Sequence, residues 1–332
     1  MEFLFLDWLG KPVWMWLAFI AIVIILLALD LGVLNRGSKE IGVGKSLRLS
    51  AFYIVLGLAF GGWVWSELGP QAGKEYITGF IVEKSLAMDN VFVIAMIFTY
   101  FAIPRQYQHK VLFWGILGVI VLRGIMIGLG ATLVSQFGWV LYIFAAFLIF
   151  TGIKMWIMAD HEPDIGANPV LRFVRKRFRV TDRLHGERFW VQQPDPATGR
   201  MARWMTPLFL ALILVEIVDL VFAVDSVPAI FAITTDPYIV YTSNIFAILG
   251  LRALYFALSA MVHRFAYLKY ALAVLLVFIG SKIFVADFIL GTDKFPVAWS
   301  LGATFAILAA GVGYSLWKTR GATPAPAVTA AP

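Results

Sequence analysis

Glu83-Lys84-Ser85-Leu86-Ala87-Met88-Asp89-Asn90-Val91 sets two carboxylates, an ammonium and an amide inside an otherwise apolar run. The pattern returns as Asp219-Leu220-Val221-Phe222-Ala223-Val224-Asp225-Ser226-Val227: an acid, an acid six residues on, then a small hydrogen-bonding residue and valine. Both stretches lie in segments too apolar for a water-soluble domain. An ionisable side chain at bilayer depth costs on the order of 3 kcal/mol or more, so four of them in matched positions invite a functional reading.

Composition places the whole chain in the membrane. Of its 332 residues 61% are hydrophobic and 14% charged, and the mean hydropathy is +0.84; these values describe a polytopic membrane protein. With no cysteine there is no disulfide, thiolate metal site or thiol catalysis, so carboxylate, amide, hydroxyl and carbonyl oxygens are the ligands available to a metal. His109, His161, His185 and His263 all fall in expected loops. The formal charge of +7 comes from basic residues at the ends of apolar segments, where they orient a membrane protein rather than bind nucleic acid.

The pattern predicts an all-α polytopic fold of about nine transmembrane helices. The expected divisions are residues 1–76 (spans one and two), 77–158 (spans three to five), 159–205 (a polar, Arg-rich loop), 206–290 (spans six to eight), 291–318 (span nine) and a disordered Ala/Pro/Thr tail, 319–332. Thr206-Pro207 reads as an N-cap and first-turn proline opening span six, and span seven is expected over about 241–262. A cleavable leader is not expected, since the first apolar run lacks a basic leading region. The Lys and Arg count puts the loops after spans one, three, five and seven on the cytoplasmic side, with the N-terminus outside and the C-terminus in the cytoplasm of a bacterial inner membrane.

Further self-similarity suggests a 3+3 inverted repeat. Ile116-Leu117-Gly118 with Arg123 parallels Ile248-Leu249-Gly250 with Arg252, and Thr151-Gly152-Ile153-Lys154 parallels Ile279-Gly280-Ser281-Lys282. Each unit has an acidic helix, an Arg helix and a Gly-x-Lys helix. Three spans is an odd number, so the second unit enters from the opposite side and a midplane site between the halves is expected. Six residues of helix rise about 9 Å and turn about 240°, so the two acids of one motif belong to different layers. Glu83 is expected to share a layer with Asp225, and Asp89 with Asp219, unless a helix break at Pro228 merges them. Asn90 and Ser226, seven residues past the first acids, return to those acids' faces and add oxygen ligands.

Other charges allow two readings each. Arg123 and Arg252 either neutralise the acids as structural ion pairs or balance a site, and the acids, with Glu216, outnumber them and Lys84, which favours a cation as the missing partner. Lys154 and Lys282 are expected to snorkel, with a gating role as the alternative. Lys84 either gates or pairs elsewhere. Glu216, whose counterpart is Phe80, has an entry or proton-coupling role or pairs with an arginine, and Asp30 is a weaker candidate at the cytoplasmic end of span one. The Arg-rich loop is a topology signal and a contact for anionic lipid.

These motifs, Glu216-Ile217-Val218-Asp219 and Ala28-Leu29-Asp30-Leu31-Gly32 included, resemble the TerC family of bacterial membrane proteins, with its Alx type, over roughly residues 12–318. The resemblance implies a member of the LysE-like exporter group and export of manganese from the cytoplasm, with the acids at 83, 89, 216, 219 and 225 as transport residues. Oxygen-only ligation agrees on a hard cation, Mn²⁺, Mg²⁺ or Ca²⁺, as substrate rather than cofactor. A core acid would also allow proton exchange. No motif suggests an enzyme. The alternatives are a membrane scaffold whose acid–Arg pairs are purely structural, and an exporter of cationic amino acids, which needs a roomier pocket.

Overall fold

The computed structural model describes residues 2–32, 43–159, 165–166, 168–195, 199–258, 265, 267–291 and 295–320. The helices are α1 (Val13–Gly32), α2 (Val43–Leu68), α3 (Pro70–Tyr100), α4 (Arg105–Gln136), α5 (Val140–Ile157), α6 (Pro169–Arg177), α7 (Pro207–Phe231), α8 (Pro237–Ile248), α9 (Leu251–Leu258), α10 (Leu268–Phe284) and α11 (Val297–Lys318). Among the described residues six helices are long and apolar enough to cross a membrane, seven if the bent pair α8–α9 is one span. This is a mostly helical polytopic membrane protein. Departures from all-helical are small: an antiparallel pair at Asp7–Trp8 (β1) and Lys11–Pro12 (β2), and a hairpin of Trp190–Pro194 (β3) with Met201–Met205 (β4).

Several boundaries move from the expected ones. Helix α2 starts at Val43, taking Lys45 and Arg48 into its first turns. Helices α2 and α3 are joined by one residue, Gly69, whose φ of 92° only glycine adopts readily, followed by Pro70 at the first position of α3. Glu75 therefore lies inside a helix and is buried. Pro228 does not break α7, which runs on to Phe231. The break falls in the next span, at Leu249-Gly250, where Gly250 has φ 79° and the axis bends by 41°. The tail residues 321–332 and His161 and His263 lie outside the described residues.

Small residues set the helix spacing, as membrane bundles require when lipid and side chain are equally apolar. At the α5–α10 crossing a Cβ on Gly152 would stand 2.7 Å from the Ala273 carbonyl oxygen, and one on Gly280 would stand 2.5 Å from that of Ala145. At α2–α3, Gly61 and Gly73 make room for Tyr76 and Trp65. Outward positions such as Ile24, Phe150, Ile157 and Phe305 are apolar and exposed, as a lipid-facing surface demands.

The Arg-rich segment is folded against the bundle. Asn168 caps α6, accepting from the Val170 and Leu171 amides, and Leu171 and Val174 join the core formed by Phe98, Leu112 and Leu208. Lys110 of α4 donates to the Glu187 carbonyl at 2.7 Å. The Thr206 hydroxyl does not cap α7; it donates to the Arg188 carbonyl at 2.7 Å and ties the hairpin down. At the other end of the bundle, Lys11 pairs with Asp236 at 2.9 Å and joins the N-terminal strands to the α7–α8 turn.

Candidate functional site

Helices α3, α4, α7 and α8 meet around Arg123, which is 1% exposed. A guanidinium presents five donors in a planar fork, and all three nitrogens of this one donate. Its Nη1 donates to Glu83, to Ser226 Oγ at 3.1 Å and to Asn244 Oδ1 at 3.4 Å; Nη2 and Nε reach the two Asp219 oxygens at 3.1 and 3.3 Å. Asn90 Nδ2 completes the cluster by donating to Asp219 Oδ1 at 3.3 Å. The seven-residue spacing works as expected, returning Asn90 and Ser226 to the faces of Glu83 and Asp219. The layering does not: Glu83 shares its partner with Asp219, not with Asp225. The first acids of both motifs converge because one long, forked arginine bridges them.

Asp225 is turned away by the 240° that separates it from Asp219. It accepts from Thr151 on α5 and lies beside Lys154, itself exposed. Lys282 does not snorkel. Its amine is buried, bonded to Ser300 Oγ at 3.2 Å and close to Glu75. Lys84 pairs elsewhere than with the acids: it donates to the Ala247 and Leu249 carbonyls at 2.9 and 3.4 Å. Those oxygens lose their helical partners at the α8–α9 break, and a buried ammonium is a chemically apt replacement.

Glu216 lies one turn along α7 from Asp219, half-buried, with its carboxylate against the Cα of Gly118 on α4. Its Oε2 is buried and has no hydrogen-bond partner among the described residues, and the same holds for Asn90 Oδ1. Beside this cluster is a cavity of about 20 Å³ lined by Asn90, Gly115, Ile116, Val215, Asp219 and Arg252 among others, room for one water-sized species. Among the described residues no group of three or more His, Asp or Glu is placed to hold a metal as the side chains stand. The side chains of Asp30 and Asp89 lie outside the described residues, although both positions are helical.

A model described as "Integral membrane protein TerC family" matches residues 68–323. The chain belongs to the TerC family. It is 46% identical over 312 residues to "Putative membrane-bound redox modulator Alx" of Escherichia coli (strain K12), covering 91% of this chain and 94% of that one. A membrane protein of Rickettsia bellii (strain RML369-C) is 46% identical over 297 residues, covering 90% and 95%; membrane protein STKORF319 of Myxococcus xanthus is 44% identical over 311, covering 94% of each. No solved structure matches the chain.

Asn244 is the site residue that sequence reasoning missed. It is fully buried and bonded to Arg123, with its amide nitrogen unpartnered. The signal was present in Thr242-Ser243-Asn244, three polar residues inside an apolar span.

Proposed function

We propose that this TerC protein moves a divalent cation, Mn²⁺ in first place, from the cytoplasm across the bacterial inner membrane. One observation carries the reading. Two buried acceptor oxygens, Asn90 Oδ1 and Glu216 Oε2, have no donor among the described residues, and both stand close to Asp219. Orphaned acceptors in a dry site are costly unless a cation visits them. The adjoining cavity of about 20 Å³ suits one ion and is far too small for a lysine-sized substrate, which weighs against amino-acid export. The donor set is all oxygen, suited to hard cations.

The nine-span, inverted-repeat architecture is part of this reading. Gly152 meets Ala273 and Val277, while Gly280 meets Ala145 and Ile149; with Gly152 matched to Gly280, each contact is the other with its partners exchanged. A pseudo-two-fold axis through that crossing accounts for the reciprocity. The positive-inside rule puts the Arg-rich segment and C-terminus in the cytoplasm, near anionic lipid. Protons are the proposed counter-ion. The chain acts as a carrier without an enzymatic activity or resident cofactor, and without nucleic acid as partner. The redox wording in the Alx name fits an indirect effect of a redox-active cargo, because a chain without cysteine has no thiol couple of its own.

The ion pairs of Arg123 with Glu83 and Asp219 favour a second reading, a scaffold in which they only hold helices together. Flux decides between them. Vesicles reconstituted with the wild-type protein should move Mn²⁺, Asp89→Asn and Asp225→Asn should each abolish it, and the response to two pH gradients should report proton exchange. Folded protein that moves no more Mn²⁺ than empty vesicles would establish the scaffold.

A further inference from the structure

The Arg123 cluster poses a contradiction for a cation carrier. Its two best ligands, Glu83 and Asp219, are both already paired with a side chain that cannot lose its charge. Resting on the transport reading, we infer that Arg123 is a tethered counter-ion: it fills the cation position between Glu83 and Asp219 in the empty protein, and it withdraws to Glu216 when a divalent cation takes its place.

The groups that accept from Arg123 are the ones a hard cation needs. Glu83, Asp219, Ser226 and Asn244 all point oxygen at the guanidinium. Asn90, 3% exposed, points its amide nitrogen at Asp219 and leaves Oδ1 unpartnered at the cavity edge. With Arg123 gone, these five side chains offer an oxygen shell within the range Mn²⁺ or Ca²⁺ accepts. With neither cation present, two buried carboxylates face each other uncompensated, a state too costly to populate. Arrival of the divalent cation is therefore coupled to withdrawal of Arg123, and an acid left without either cation must take up a proton.

Arg123 needs somewhere to go, and Glu216 is the available acid. It is one turn from Asp219 on the same helix, has a buried oxygen with no donor, and lies against α4, the helix that carries Arg123. Its place in the first unit is taken by Phe80. One receiving acid for one mobile arginine explains why the symmetry is broken there.

Binding of Mn²⁺ to the purified full-length protein in nanodiscs tests this. Arg123→Gln removes the competitor, so it should bind Mn²⁺ at least about tenfold more tightly than wild type while losing flux. Arg123→Lys keeps the charge without the fork and should lie between. Glu216→Gln should weaken binding by about tenfold in the wild-type background and have no effect in Arg123→Gln, because the acid has then no arginine to receive. Should Arg123→Gln unfold without metal, Mn²⁺ should raise its melting temperature, and the added Asp219→Asn substitution should abolish that rise. Arg123→Gln that binds Mn²⁺ no more tightly than wild type, or that Mn²⁺ fails to stabilise, overturns the proposal. An equal loss from Glu216→Gln in both backgrounds makes Glu216 a ligand and overturns its receiving role. Absence of wild-type flux counts against transport alone, since the binding comparison is read independently of it.

Discussion

Alanine at Gly152 or Gly280 should loosen the α5–α10 seam. In an unhindered helix the change from glycine gains about 1 kcal/mol through backbone entropy. Here the new Cβ at 152 would stand 2.7 Å from the Ala273 oxygen, 2.8 Å from Val277 Cγ2 and 3.0 Å from the Val277 nitrogen. At 280 it would stand 2.5 Å from the Ala145 oxygen, 2.9 Å from Ile149 Cγ1 and 3.2 Å from the Ile149 nitrogen. Two of three neighbours in each case are backbone, so no rotamer change relieves the overlap. The helices must part by roughly 0.5–1 Å, which forfeits a quarter to a half of the dispersion along the seam. Overpacking of this kind costs about 1–3 kcal/mol. Gly62→Ala and Gly302→Ala, where a Cβ meets nothing within 4 Å, are the reference substitutions. Thermal or denaturant unfolding in detergent should rank both seam variants below both references, and the double variant should lose less than the sum because the seam opens once. Seam variants as stable as Gly62→Ala would show that the close approach does not set the helix spacing, and would remove the support it lends to a two-fold axis.

Three further outcomes follow from single contacts. Lys84→Met withdraws both donors from the Ala247 and Leu249 carbonyls; a loss of about 1.5–3 kcal/mol is expected, with faster amide exchange around the α8–α9 break, and an unchanged melt would show that Lys84 does not pin the break. Asp219→Asn leaves Arg123 without its two-pronged partner; destabilisation by about 3–5 kcal/mol should appear in the melting curve and be partly recovered by adding Arg123→Gln. Lys11→Gln breaks a partly exposed pair with Asp236 and should shift stability by less than about 1 kcal/mol, measured in the same unfolding assay; a larger loss would make the N-terminal strands a structural clamp.

The parts of the fold set by local sequence were legible. Apolar length identified a mostly helical polytopic membrane protein, Pro207 opens a helix where the sequence puts a first-turn proline, and the seven-residue spacing placed Asn90 and Ser226 beside the acids. What escaped the sequence depends on side-chain reach and on backbone left unpaired. Pro228 looked like the natural break, but a proline in the last turn of α7 only removes a hydrogen bond near the helix end, and Phe231 still closes that turn. Gly250 enters the sequence reading only as part of the repeat Ile248-Leu249-Gly250. Its positive φ ends α8 because Lys84, from another helix, is there to hold the released carbonyls, and no local pattern announces a donor 163 residues away.

The same logic explains why Glu83 does not share a layer with Asp225. Helix rise alone puts Glu83 level with Asp225 if α3 and α7 lie antiparallel and in register, and it contains no term for the arginine of a third helix. A guanidinium that gains five hydrogen bonds by bridging two carboxylates outweighs register, because each buried acid it left behind would be destabilising by several kcal/mol. Arg123 thus draws the first acid of each motif to one point and leaves Asp225 to α5. On the proposed two-fold axis this is where equivalent residues of the two units should meet: Glu83 with Asp219, and Asn90 beside Ser226. Only one of the two equivalent arginines can occupy such a point. Arg123 fills it while Arg252 lines the neighbouring cavity, so the proposed two-fold symmetry is broken at its centre.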